Sequence, residues 1–188
     1  MKCLIAGLGS DIARQLRIRL ERDGWEVDGA FGKDLMLPHK EWDLLILAQG
    51  KLEPIGMFFD TNPVEWMEGM MVNSLAPLNC LRSVWNNRNP NATVVFLSGP
   101  NLSRPTPTYT AYRAGKAALE SLLTTLNAEY PETRFKMLNP GVVKTKIHEQ
   151  TLKAGHTAAN YERVFRIMNG VEPTVSHDQV YERLKDLL

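Results

Sequence analysis

Cysteine is nearly absent from the 188 residues: only Cys3 and Cys80 occur, far apart and without metal-ligand spacing. That excludes a disulfide-stapled scaffold and a zinc ribbon, and predicts two buried free thiols in a reducing, cytoplasmic setting. The four histidines are scattered with no paired spacing, so no metal is expected. Neither sign of charge is in excess. The 22 basic and 21 acidic side chains leave a net charge of +1 with no block of like charge, which removes the electrostatic footprint of a nucleic-acid or anionic-membrane binder. No apolar run approaches the roughly 20 residues that span a bilayer, and the start Met1-Lys2-Cys3-Leu4-Ile5 lacks the apolar core of a leader. One domain over residues 1–188 is expected, with no membrane partner.

What is present is alternation. Cys3 to Ala6 is a short apolar run ending at Gly7, and Ile12 to Leu20 follows with helical period and stops at Gly24. Val27 to Phe31 and Leu44 to Ala48 read as further strands, with an extra short one near Leu35 to Leu37. Asn62 before Pro63 predicts a helix cap, and the apolar pattern then runs from Val64 to Trp85 as one helix. Thr93 to Leu97 reads as a strand. Thr110 to Tyr130 reads as a helix with Ala114, Leu119, Leu122 and Leu126 on its apolar face, and Phe135 to Leu138 as a strand. Helical fragments near Ile147 to Lys153 and Tyr161 to Met168 follow, and Ser176 and Gln179 form a capping box for a last helix. Strands alternating with helices imply an α/β fold. The expectation is a Rossmann-like doubly wound parallel sheet of about six or seven strands, trimmed between Phe31 and Leu44.

Such a sheet binds ligands beyond the carboxyl ends of its strands, so the loops there carry the chemistry. Gly7-Leu8-Gly9-Ser10-Asp11-Ile12 puts glycines and a small hydroxyl at a helix start, where free N–H groups can face a phosphate. Asp11 adds a carboxylate where that phosphate would lie. Further along, Tyr112 and Lys116 stand four residues apart, which stacks a phenol and an ammonium on one helix face. A nearby cation favours the phenolate, so the pair can transfer protons.

Taken in order, these motifs resemble the short-chain dehydrogenase/reductase family over most of the chain. The family's Thr-Gly-x-x-x-Gly-x-Gly appears as Ala6-Gly7-Leu8-Gly9-Ser10-Asp11-Ile12-Ala13, and its Asn-Asn-Ala-Gly as Leu47-Ala48-Gln49-Gly50. Its helical asparagine resembles Asn73. Its catalytic serine resembles Ser98, fourteen residues before Tyr112 where the family more often shows thirteen, a spacing that would fall on Gly99. Asn139-Pro140-Gly141-Val142-Val143-Lys144-Thr145 keeps its Pro-Gly-x-x-x-Thr. The resemblance implies hydride transfer between a nicotinamide and a carbonyl or alcohol carbon of a small molecule. Tyr112 would be the general acid or base, Lys116 would lower its pKa and hold ribose hydroxyls, Ser98 would orient the substrate oxygen, and Asn73 would anchor a water. Gly7, Gly9, Ser10, Asp11, Ile12, Ala48, Gln49, Gly50, Pro140, Gly141, Val143 and Thr145 would line the cofactor with Tyr112 and Lys116.

The same resemblance puts Phe31 at the end of the second strand, where an acid would select NAD(H). Lys33 lies two residues on, so NADP(H) is favoured over NAD(H), with Asp34 and Leu35 beside the adenine. Asp28 falls inside the strand and reads as structural. Residues 144–169 are expected to form a substrate lid, and Met57, Met67, Met70, Met71 and Met168 to fill core or interface. The family's pairing of its two long central helices implies a homodimer or homotetramer. Two rival readings are a non-catalytic NAD(P)-binding regulatory protein of the same fold, and a sugar-nucleotide epimerase or dehydratase. The stretch after Gly141 is short for the latter's substrate domain.

Overall fold

A computed structural model of the protein describes residues 1–30, 38–99 and 104–188. Five strands form one parallel sheet: β1 (Lys2–Ala6), β2 (Glu26–Ala30), β3 (Trp42–Leu47), β4 (Arg88–Leu97) and β5 (Arg134–Leu138), in the order β2-β1-β3-β4-β5. The apolar runs of β1, β3 and the second half of β4 follow from burial on both faces, whereas the edge strands β2 and β5 alternate in burial. In β1, Cys3 and Ile5 face one core with Leu44 and Ile46 of β3, while Leu4 and Ala6 face the other with Leu45 and Leu47.

Seven helices flank the sheet among the described residues: α1 (Asp11–Arg22), α2 (Pro63–Asn73), α3 (Leu75–Val84), α4 (Thr110–Glu129), α5 (His148–Ala154), α6 (Tyr161–Met168) and α7 (His177–Lys185). Leu16 and Leu20 of α1 and Val180 and Leu184 of α7 close the first core. Leu81 and Val84 of α3 and Leu119 of α4 close the second. The sheet is therefore doubly wound, and its order reverses between β1 and β3, which opens the ligand crevice beyond Ala6 and Leu47.

Three expectations need correction. The strand count among the described residues is five rather than six or seven: residues 35–37 lie outside them, and after β5 the chain continues only in helices. The single helix from Val64 to Trp85 is broken at Ser74 (φ −131°, ψ −65°) into α2 and α3. Pro77 is the reason, because its ring cannot coexist with the helical carbonyl four residues earlier. The buried face of α4 carries Ala111, Tyr112, Gly115, Lys116 and Leu119, whereas Leu122 is exposed. The two caps form as expected. Asn62 accepts from the N–H of Val64 at 2.8 Å and of Glu65 at 3.4 Å, and Ser176 and Gln179 close a capping box on α7. Asp28 pairs with Lys40 at 2.8 Å, in keeping with a structural role.

Candidate active site

The loops that follow β1, β3, β4 and β5 meet at the carboxyl end of the sheet. Gly7 turns with φ +87°, a left-handed conformation that glycine adopts without strain. It is also pressed on the next loop, since a Cβ there would lie 3.0 Å from the Ala48 carbonyl carbon and 3.1 Å from Gln49 N. Leu8 is fully buried in the α1 core, Gly9 is exposed, and Ser10 caps α1 by accepting from the Ala13 N–H at 3.5 Å.

Lys116 is 3 % exposed on the second turn of α4 and bonds two of these loops at once. Its ammonium donates to Leu97 O at 2.9 Å and Gln49 O at 3.1 Å, so a buried cation ties the ends of β3 and β4 together. Among the described residues no carboxylate compensates it, and burial pulls its pKa down from 10.5 to about 8. Tyr112, one turn earlier and 9 % exposed, has its ring centroid 6.0 Å from the Lys116 nitrogen. Burial pushes its phenol up to about 12. Burial here outweighs the nearby ammonium, which is directed at carbonyls.

Asn73 ends α2 and is fully buried. Its Nδ2 donates to Lys51 O and Gly69 O, both at 2.7 Å, and its Oδ1 accepts from the Lys51 N–H at 3.2 Å. Gly50 separates it from the lysine: a Cβ there would lie 3.5 Å from Asn73 Oδ1 and 3.9 Å from Lys116 Nζ. Gly115 lets α4 reach α2, since a Cβ on it would stand 2.6 Å from Asn73 Cβ and 2.8 Å from Met70 O. Gln49 Nε2 donates to Cys80 Sγ at 3.1 Å, while Gln49 Oε1 is buried without a partner.

Ser98 follows β4, with its hydroxyl donating to Gly99 O at 3.3 Å. Gly99 borders the phenol: a Cβ on it would lie 3.0 Å from the Tyr112 hydroxyl. After β5, Val143 is buried, its carbonyl bonded to His148 Nε2 at 3.0 Å, and Thr145 is buried beside it. Pro140 and the exposed Gly141 lie farther out, with Gly141 packed on Val175. This segment reaches the first loop through Asp11, whose Oδ2 accepts from the Lys146 N–H at 2.7 Å and whose Oδ1 pairs with Arg14. Burial opposes the charge on Asp11, but the Lys146 N–H and Arg14 outweigh it and hold its carboxyl below the usual range. Ile12 follows in α1 and packs on the α1 core. Lys33, Asp34 and Leu35 lie outside the described residues.

Side chains from residues 144–169 pack against the cluster that contains Tyr112. Ala158 is buried with Leu52, Tyr109 and Tyr112, and Ile147, Ala154 and Tyr161 pack against that cluster. Gln150 Oε1 accepts from the N–H groups of Leu52 at 2.8 Å and Glu53 at 3.2 Å. Local pattern does not single out Tyr109 or Gln150, though Tyr109 carries a signal as a second phenol three residues before Tyr112; Gly99 is where the thirteen-residue spacing falls. An open depression of about 330 Å³ runs along β5, lined by Met137, Leu138, Asn139, Arg183, Asp186 and Leu187, none of them a candidate site residue. Among the described residues no His, Cys, Asp and Glu cluster could hold a metal, and no helix is long and apolar enough to cross a membrane.

Comparison with known proteins agrees with this architecture. A family profile described as short chain dehydrogenase matches residues 33–155. An uncharacterized oxidoreductase of Schizosaccharomyces pombe is 28 % identical over 129 residues, which cover 68 % of this chain and 52 % of that protein. The chain therefore spans about half the length of this curated relative. Among solved structures, a short chain dehydrogenase family protein from Francisella tularensis superposes with a TM-score of 0.79 at 16 % identity, covering 100 % of this chain and 90 % of that one. Aldohexose dehydrogenase of Thermoplasma acidophilum, in ligand-free form, gives 0.80 at 16 % identity, covering 99 % and 86 %. At such identities the superpositions establish the fold.

Proposed function

The chain belongs to the short-chain dehydrogenase family, and from that premise we propose that it is an NAD(P)(H)-dependent oxidoreductase acting on a carbonyl or alcohol carbon of a small molecule. One observation carries the reading: a lysine with no carboxylate partner among the described residues is buried beside a phenol at the carboxyl ends of the strands. Burying an unpaired cation is costly, and such groups cluster where a protein does chemistry.

The residues present suit a dinucleotide. Gly9 leaves open space where a side chain would stand, the first amides of α1 can meet a phosphate, and the partnerless Gln49 Oε1 suits a hydroxyl or amide donor. Asp11 would oppose a phosphate, but its carboxylate is already engaged by Arg14 and Lys146. Gly7, Gly9, Ser10, Asp11 and Ile12 would cradle the phosphates. Ala48, Gln49 and Gly50 would face the ribose with Lys116, and Pro140, Gly141, Val143 and Thr145 would close the nicotinamide end. Lys33 would favour NADP(H), with Asp34 and Leu35 at the adenine.

The nicotinamide, when bound, supplies or accepts the hydride. Tyr112 donates its phenolic proton to the substrate oxygen as negative charge grows there, and a phenol held protonated by burial suits that direction. Lys116 places a positive charge beside the phenolate that results. Ser98 supplies a hydrogen bond to the same oxygen by rotating away from Gly99 O, and Asn73 holds a water for proton return. Residues 144–169 act as the lid over Tyr112. A homodimer or homotetramer is favoured by the exposed apolar side chains on the central helices: Val64, Met67 and Met71 of α2 recur at helical spacing, with Leu75 and Leu122 beside them in α3 and α4.

A non-catalytic nucleotide-binding protein is the competing reading, favoured by the carboxylate of Asp11 in the first loop and by the fourteen-residue spacing from Ser98 to Tyr112. The deciding experiment is NADPH consumption over a panel of aldehydes and ketones. The wild-type protein is expected to turn over at least one, and Tyr112→Phe to bind NADPH equally and turn over none; equal rates in the two proteins would refute the proton-donor role.

A further inference from the structure

Next to Tyr112 the chain carries a second phenol that the proposed chemistry does not use. Tyr109 precedes the first residue of α4 and is 3 % exposed. Its hydroxyl oxygen lies 3.0 Å from Thr151 Oγ1 in α5 and donates to Asn160 Oδ1 at the start of α6. A phenol has one proton to give, so with Asn160 as acceptor it takes the Thr151 proton. Thr151 is fully buried, which leaves its hydroxyl no water to fall back on.

The preceding residue strengthens the join. Thr108 is held at φ +72°, a conformation that costs a β-branched residue on the order of 1 kcal/mol or more and persists only where its surroundings enforce it. There its Oγ1 accepts from the Ala159 N–H at 3.1 Å, and its carbonyl accepts from the Gly56 N–H at 2.9 Å. Two consecutive residues therefore bind α5, the start of α6 and the Leu52 to Gly56 segment to the front of the helix that carries Tyr112.

We infer that Tyr109 is a positioning residue: its single hydroxyl clasps α5 and α6 onto the start of α4 and so holds Ala158, with Ile147 packed alongside, in the apolar cluster that contains Tyr112. The kinetic consequence rests on the oxidoreductase reading; the clasp itself does not. Removing the hydroxyl while keeping the ring releases both helices together and leaves the apolar cluster of Leu52, Tyr112 and Ala158 in place.

Tyr109→Phe and Thr151→Val test it by limited trypsin digestion and steady-state kinetics. Lys153, Arg163 and Arg166 are exposed within the covering segment, and Arg17 and Lys185 lie outside it as internal controls. In Tyr109→Phe, cleavage at the first three is expected to rise about tenfold, the worth of one to two net hydrogen bonds, with cleavage at the controls unchanged. KM for a turned-over carbonyl rises by about the same factor while kcat and NADPH affinity stay near wild type. Thr151→Val gives a smaller rise at the same three sites, and the double variant is no worse than Tyr109→Phe alone. If Tyr109→Phe does not fold, Thr151→Val decides by the same sites. Digestion unchanged in the variants, or accelerated equally at Arg17 and Lys185, overturns the clasp. A wild-type protein that binds NADPH and reduces nothing overturns the oxidoreductase reading instead, and the digestion then decides the clasp alone.

Discussion

At the end of β1 the turn is made by backbone: Gly7 at positive φ, Gly9 with nothing where its side chain would be, and a Ser10 cap. At the end of β4 the work falls to side chains that reach it from α4. Lys116 bonds the carbonyls of Leu97 and Gln49, and Gly115 and Gly99 leave the room that Asn73 and Tyr112 occupy. Both regions border one crevice, yet the first is open at Gly9, beside a Gly7 pressed on the next loop, whereas the second is buried and tightly packed. The difference teaches that a phosphate-binding turn needs only donors and space, while a proton-transfer group needs its surroundings held still.

That contrast can be broken most widely at the phenol. Tyr112→Phe is expected to lower turnover of any accepted carbonyl by about 10³-fold while thermal unfolding and NADPH titration stay near wild type. The buried side has a pH signature next. Lys116 titrates near 8 when folded and 10.5 when unfolded, so between those values the unfolded chain holds more protons and stability rises with pH. Denaturant unfolding at pH 7.5 and pH 10.5 should differ by about 3 kcal/mol more in the wild type than in Lys116→Met. A slope equal in the two proteins would mean that Lys116 is not buried as a costly cation.

The glycines separate the regions directly. Gly115→Ala drives a methyl to within 2.6 Å of Asn73 Cβ and should cost about 2 kcal/mol in denaturant unfolding. Gly9→Ala meets nothing within 4 Å and should stay within about 0.5 kcal/mol, its effect appearing instead as weaker NADPH binding. The smallest effect concerns the nucleotide: Lys33→Ala is expected to weaken NADPH binding by about threefold, the worth of one exposed charge pair, and to leave NADH unchanged. Tighter binding of NADH than NADPH by the wild type would reverse the preference proposed for Lys33.

Much of this was legible residue by residue. The runs Cys3 to Ala6 and Leu44 to Leu47 announce buried parallel strands because both of their faces must be apolar. Asn62-Pro63 and Ser176-x-x-Gln179 announce helix starts because the capping chemistry is local. The break at Ser74 was also written in the chain, as Pro77, but the apolar period continues across it and hides it. Leu122 was misassigned because α4 buries a lysine and a tyrosine on the face that apolar residues usually claim.

Within the site, the four-residue spacing of Tyr112 and Lys116 and the glycines of the first loop were determined by sequence alone, since helix periodicity and turn stereochemistry act between near neighbours. The family follows from the order in which these local signals occur. Only the tertiary structure decided where their bonds go: Lys116 to a carbonyl 67 residues away, Asp11 to an amide 135 residues on, and Tyr109 to Thr151 and Asn160. It likewise decided that burial raises the phenol and lowers the lysine. The physical reason is that hydrogen-bond partners and desolvation depend on what packs around a group in space, and no local spacing in the chain records that.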